Sequence, residues 1–201
     1  GNAAHIPRAM AELAQQEDDV RRRFFHDGRY GLVTEETPNL DTFQKGFVQD
    51  SARLTGWQRE SAGKTSLFDV IHNVAPTVLI GVSGQADAFG EALIREMAKG
   101  VERPVIFPLS NPTSCVEAQP ADLVRWTDGR AIIGTGSPFA SFEYEGRTHH
   151  FAQTNNSYIF PGVGLAAIAA NARRVTDGMF LAAARALAEL SPASKDPADK
   201  L

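Results

Sequence analysis

The sequence predicts an α/β protein built on a doubly wound, mostly parallel sheet. Three observations carry that expectation. The runs TVLIGVSG (77–84), RPVIFPLSN (103–111) and RAIIGTGS (130–137) are apolar without alternation, as strands buried on both faces are. Helical segments lie between them and supply the crossovers that parallel strands require. Each run ends in small and polar residues, the composition expected where an open parallel sheet meets its ligand.

The elements follow in order. Between Asn2 and Gln16, Ile6, Met10 and Leu13 share one stripe, which predicts a helix starting close to Pro7. Residues 22–33, RRFFHDGRYGLV, read as a short strand and a turn around Gly28 and Gly31. The stretch 34–64 is polar and glycine-punctuated, with a helix expected near 41–50 and an irregular loop behind it. A helix over 65–74 presents Leu67, Val70 and Ile71 on one face and stops at Pro76. In ADAFGEALIREMA (86–98), Phe89, Leu93 and Met97 recur every four residues and predict an amphipathic helix. AQPADLVRW (118–126) predicts a short one.

In QTNNSYIFPGVGL (153–165), Asn155 and Asn156 are turn material. The aromatic-apolar run behind them reads as buried and strand-like, and Pro161 and Gly162 break it. Helices are expected over 163–173 and 177–190. Thr176 would cap the second, whose apolar face is Met179, Phe180, Ala183, Leu187 and Leu190. Residues 1–190 are expected to form one partial domain, and SPASKDPADKL (191–201) a disordered tail.

Composition narrows the classes. A chain of 201 residues, 43% hydrophobic and 22% charged, is an ordinary globular domain with room for a sizeable core. A net charge of −4 without a basic stripe argues against a nucleic-acid partner. The apolar runs are too short and too interrupted to span a membrane. A lone Cys115 fits a reducing cytoplasm. No metal-ligand spacing is visible, and His149-His150 reads as a solvated pair.

The chemistry is expected at the strand ends: Gly81-Val82-Ser83-Gly84, Ser110-Asn111-Pro112-Thr113 and Gly134-Thr135-Gly136-Ser137-Pro138. Glycines there would let a planar ligand approach the backbone, and Ser and Asn would supply hydrogen bonds. Each segment alone could be a simple strand-to-helix turn. Three at one sheet edge, joined by the Asn155-Asn156 turn, point to a binding cleft. No complete phosphate-binding fingerprint is present. GVSGQA is a weak match, and the opening GNAA could only be the remains of a glycine-rich turn.

The order of these pieces carries a family resemblance. TVLIGVSGQ (77–85), RPVIFPLSNPTS..EA (103–118), WTDGRAIIGTGSPF (126–139) and AQTNNSYIFPG.GLA (152–166) resemble the nicotinamide-cofactor domain of malic enzymes, the oxidative decarboxylases of malate. The resemblance implies a Rossmann-type domain holding NAD or NADP, with the first strand and part of the glycine fingerprint missing. It implies Asn111 and Asn156 beside malate and the nicotinamide, and Gly81, Val82, Ser83, Gly84, Asn111, Asn155 and Asn156 along the cofactor. Its chemistry is hydride transfer from the malate C2 hydroxyl carbon, then metal-assisted decarboxylation to pyruvate.

The acid-base tyrosine and lysine and the acidic metal ligands that the resemblance implies fall upstream of Gly1. The chain is therefore expected to hold no catalytic residue and no metal, with Mg or Mn bound only in a longer enzyme. It is expected to be inactive alone, and to associate with a second copy or with the missing part. Gly28 stands where the ribose-binding Asp would be, with Asp27 one residue early, and Asp87 and Gly90 depart from the usual residues. The alternative expectation is a non-catalytic nucleotide-binding or partner-docking module derived from that family.

Overall fold

The computed structural model describes residues 22–61 and 63–191. The helix expected over 2–16, the GNAA start and the tail 192–201 lie outside the described residues. By internal contacts the chain divides into two units between Val74 and Ala75.

In the first unit, β1 (Asp27–Gly28) and β2 (Gly31–Leu32) form a small antiparallel hairpin. Gly31 turns it at φ +91°, and a Cβ there would stand 2.4 Å from the Thr65 carbonyl oxygen, so only glycine fits. The expected helix near 41–50 is replaced by two 3₁₀ turns, Gln44–Phe47 and Ser51–Leu54. The reason is local: Gln44 N–H donates to Asp41 Oδ1 and Asp50 caps Ala52, so side chains divert the backbone from a continuous ladder.

Helix α1 (Leu67–Val74) opens with a reciprocal pair, in which Ser66 N–H donates to Asp69 Oδ2 and Asp69 N–H donates to Ser66 Oγ. Asp69 Oδ1 also accepts from Glu60 N–H, which ties the preceding loop to the helix. Leu32, Leu54 and Val70 form the core, with Phe25, Trp57 and Val74 against them.

The second unit carries the parallel sheet. Its strands are β3 (Val78–Gly81), β4 (Val105–Pro108), β5 (Ile132–Thr135) and β8 (Ala152–Gln153), in the order β3-β4-β5-β8 and parallel at every pairing. An antiparallel excursion, β6 (Phe142–Tyr144) and β7 (Arg147–His149), lies between β5 and β8 in sequence. Crossovers are α2 (Glu91–Gly100) and α3 (Pro120–Trp126), and the hydrophobic core is built from Leu79, Ile94, Met97, Ile106, Leu123, Val124 and Ile133.

Helix α2 starts at Glu91, five residues later than its periodicity predicts. Asp87 takes a left-handed φ of +58° and Gly90 is the N-cap, so Phe89 is buried from a loop.

After β8, Asn156–Tyr158 makes one 3₁₀ turn and leads into α4 (Phe160–Ala169), and α5 (Asp177–Leu190) follows. The run behind the two amides is therefore neither strand nor buried: Pro161 occupies the first helical turn, where its missing N–H costs nothing, and Phe160 is 70% exposed. The Thr176 cap is present, its hydroxyl accepting from Met179 N–H. The apolar face expected on α5 is not buried, and α4 buries only Val163.

Candidate functional site

The carboxyl ends of β3, β4 and β5 lie side by side because their pairing continues past the strands. Leu109 N–H donates to Gly81 O at 2.9 Å, and Gly136 N–H to Pro108 O at 3.3 Å. The first turn, Val82-Ser83-Gly84, is exposed. Gly84 adopts φ +68° with nothing within 4 Å of where a Cβ would stand, which leaves the backbone open to a ligand.

Gly81 and Gly136 are small for another reason. A Cβ on Gly81 would meet the Glu117 side chain at 2.6 Å and Phe89 at 2.8 Å. One on Gly136 would stand 2.1 Å from the Leu109 carbonyl oxygen. These two glycines make room for the protein itself, whereas at Gly84 the space beside the backbone is open.

The second turn brings Ser110 and Asn111 to the same edge, followed by the cis Asn111–Pro112 bond. The Asn111 amide oxygen accepts the Ser137 hydroxyl from the end of β5. The amide nitrogen makes only a long 3.4 Å contact to Leu109 O and keeps donor capacity to spare. Thr154 N–H donates to Thr135 O at 2.7 Å, which sets the start of the amide turn beside β5.

The two asparagines then divide their roles. Asn155 Oδ1 accepts from Ser157 N–H at 2.9 Å and caps the 3₁₀ turn. The Asn156 side chain is exposed and has no hydrogen-bond partner among the described residues. Of the residues named from sequence, Val82, Ser83, Gly84, Asn111 and Asn156 are exposed, Gly81 is buried, and Asn155 is half-buried.

The residue that sequence reasoning passed over is Glu117. It is fully buried, and its carboxylate receives both polar groups of Ser83 (N–H at 2.8 Å, hydroxyl at 2.9 Å) and both of Ser110 (hydroxyl at 2.5 Å, N–H at 3.3 Å). Burial pushes this carboxyl up, yet the hydrogen bonds from Ser110 and Ser83 outweigh it and hold it below the usual glutamate range. The carboxylate is thus the charged acceptor at the centre of the strand-end turns. Glu117 belongs to the motif SNPTS..EA, so its position was visible, but nothing in the residues around it announced its burial.

The described residues contain no group of three or more His, Cys, Asp or Glu side chains placed to hold a metal ion. His150 Nδ1 pairs with Ser141 Oγ at 2.8 Å, and the His149 ring lies edge-on to Tyr144. No helix among the described residues is long and apolar enough to cross a membrane.

Comparison with known proteins gives the same reading from a separate direction. The family described as "Malic enzyme, NAD binding domain" matches residues 1–201. The chain is 52% identical over 196 residues to the NAD-dependent malic enzyme of Edwardsiella ictaluri, covering 98% of this chain and 34% of that protein. The NAD-dependent malic enzyme of Proteus mirabilis is 50% identical over 196 residues, with the same coverage. That of Pseudomonas savastanoi pv. phaseolicola is 51% identical over 192 residues, covering 96% of this chain and 34% of that protein. The chain thus spans about a third of the length of these curated relatives. With a parallel α/β sheet and polar strand-end turns at the matching motifs, this chain belongs to the malic enzyme family, within its NAD-binding domain.

Proposed function

We propose that the chain holds a nicotinamide dinucleotide at the carboxyl edge of β3, β4 and β5, as part of an enzyme that oxidatively decarboxylates malate to pyruvate. The observation that carries this is the convergence of Ser83-Gly84, Ser110-Asn111 and Ser137 on one edge, where Gly84 N–H donates to the Ser110 hydroxyl and the Ser137 hydroxyl donates to the Asn111 amide oxygen. NAD, the cofactor named by the matched family and by the relatives, would supply the hydride acceptor when bound.

The residues present fit that group. Gly84 leaves the backbone clear, Val82 offers an exposed apolar side chain, and Asn111 and Asn156 offer amide donors without adding charge near a hydride acceptor. In this reading Asn111 Nδ2 and Asn156 orient a malate carboxylate or hydroxyl, and Gly81, Ser83 and Asn155 hold the turns that carry them.

The divalent cation is a different case. The described residues provide no group of three or more His, Cys, Asp or Glu side chains that could hold it. The acid, the base and the metal ligands are assigned to the part of the enzyme that the relatives carry beyond the matched third. The apolar surface of α4 and α5, with Leu165 69% and Ile168 79% exposed, suits burial against that part or against a second copy.

Titration calorimetry of this chain with NAD, NADP and malate tests the reading, alongside an assay for NADH formation with malate and Mn²⁺. The expected result is NAD binding without turnover. Binding of neither dinucleotide would overturn it, and turnover at ordinary enzyme rates would overturn the assignment of acid and base to the remaining two-thirds.

A further inference from the structure

We propose that Glu117 is a positioning residue: its buried carboxylate couples the turn after β3 to the turn after β4 and so fixes the spacing of the two walls of the cleft. The inference rests on reading that cleft as the dinucleotide site, and extends it to a residue that touches no ligand.

The geometry is unusual for a loop glutamate. Glu117 follows the 3₁₀ turn Thr113–Cys115 and precedes α3, and its side chain reaches back under β3, where Gly81 lacks the Cβ that would block it. Oε1 takes the Ser83 N–H, the Ser83 hydroxyl and the Ser110 hydroxyl, and Oε2 takes the Ser110 N–H. The Ser110 hydroxyl in turn accepts the Gly84 N–H at 2.8 Å. The residue's own backbone closes a third link, since Phe89 N–H donates to Glu117 O at 2.9 Å.

Four donors on one carboxylate satisfy it without a cation, as a buried charge requires. An unsatisfied donor left in its place would be expensive. The arrangement therefore has one low-energy spacing between Ser83 and Ser110. Ser83-Gly84 lines the cofactor side, and Asn111 is the residue directly after Ser110. Glu117 sets the distance between the two.

Glu117→Gln tests this with little change of shape. The amide must put its NH₂ toward the Ser110 N–H or toward the three donors on the other oxygen, so one donor–donor conflict is unavoidable. The test uses the 201-residue chain in wild-type, E117Q and Ser83→Ala forms. In E117Q the backbone amide resonances of Ser83 and Gly84 shift together with those of Ser110 and Asn111, while those of α5 stay in place. NAD affinity, corrected for the folded fraction, falls by about tenfold.

Ser83→Ala, whose side chain is small and lies at the surface, covers the case in which E117Q does not fold. It removes one hydroxyl donor from Glu117 and is expected to shift the Ser110 and Asn111 amides across the cleft. If folded E117Q binds NAD with wild-type affinity, or if shifts stay confined to one turn, the proposal is overturned and Glu117 only stabilises the fold. A wild-type chain that binds no NAD would overturn the dinucleotide reading instead, and the paired shifts would then decide the role of Glu117 alone.

Discussion

The Ser137 hydroxyl donates to the Asn111 amide oxygen, joining the end of β5 to the turn after β4. This contact fixes the orientation of the Asn111 amide, with its oxygen toward Ser137. Ser137→Ala frees Asn111 to rotate. A lost hydrogen bond of this kind is worth about 0.5–1.5 kcal/mol, so NAD binding should weaken by about two- to tenfold. The β4–β5 backbone pairing is untouched, so the fold loses that one bond alone, and the melting temperature should fall by only about 1–6 °C. Calorimetry and a thermal melt on the same variant check both halves.

The neighbouring asparagines should respond in opposite ways. Asn155 caps the 3₁₀ turn, so Asn155→Ala should cost about 1 kcal/mol of stability in urea unfolding. The Asn156 side chain has no hydrogen-bond partner among the described residues, and Asn156→Ala should change stability by less than about 0.5 kcal/mol while weakening NAD or malate binding. Equal destabilisation by the two substitutions would remove the division of roles.

Two glycines give a matching contrast. Alanine at Gly136 would drive a methyl to 2.1 Å from the Leu109 carbonyl oxygen, which is backbone and cannot swing away. Gly136→Ala should therefore destabilise by about 1–3 kcal/mol or more. Gly162 lies within α4 with nothing within 4 Å, and Gly162→Ala should stabilise by roughly 0.5–1 kcal/mol. Thermal melts of the two single variants decide the signs.

Asp69 gives the unit before Ala75 a defined acid sensitivity. Burial raises its carboxyl, but the N–H groups of Ser66 and Glu60 more than compensate and hold it below the usual value of 3.8. A carboxyl depressed in the folded state contributes its stability above the unfolded value, and loses it as pH falls through the folded one. Asp69→Asn should cost about 1–3 kcal/mol at neutral pH, because one N–H is left facing an NH₂. The gap to wild type should close as pH drops below 3.8, measured by urea unfolding at a series of pH values.

Much of the sheet was legible in the sequence, and the exceptions have physical causes. Unbroken apolar runs marked β3, β4 and β5, although burial alternates along β3 and β4: Leu79 and Ile106 are buried while Val78 is 47% exposed, so the expected burial on both faces is not met there. Period-four spacing placed Phe89, Leu93 and Met97 on one buried face. It could not show that Asp87 turns left-handed and that Phe89 reaches the core from outside the helix. Ile159 and Phe160 suggested a strand by propensity, yet Pro161 made a better helix start than a strand end. Around the site, turn chemistry disclosed the exposed Ser, Gly and Asn residues. Glu117 stayed hidden because a glutamate between Val and Ala in a loop is ordinarily solvated. Only the missing Cβ at Gly81 and the four donors above it turn that residue inward.

The thin packing of α4 and α5 reaches beyond binding. A helix with one buried residue in ten, or none in fourteen, draws almost nothing from tertiary contacts and opens at small free-energy cost. Its amides should exchange with deuterated solvent well before those of β4, where Ile106 is fully buried. Trypsin added to the folded chain should find Arg173 and Arg174, both exposed between the two helices, ahead of Arg130, whose guanidinium is held by the carbonyls of Ala98, Val101 and Glu102. Cleavage there would release α5, and the parallel sheet would outlast it.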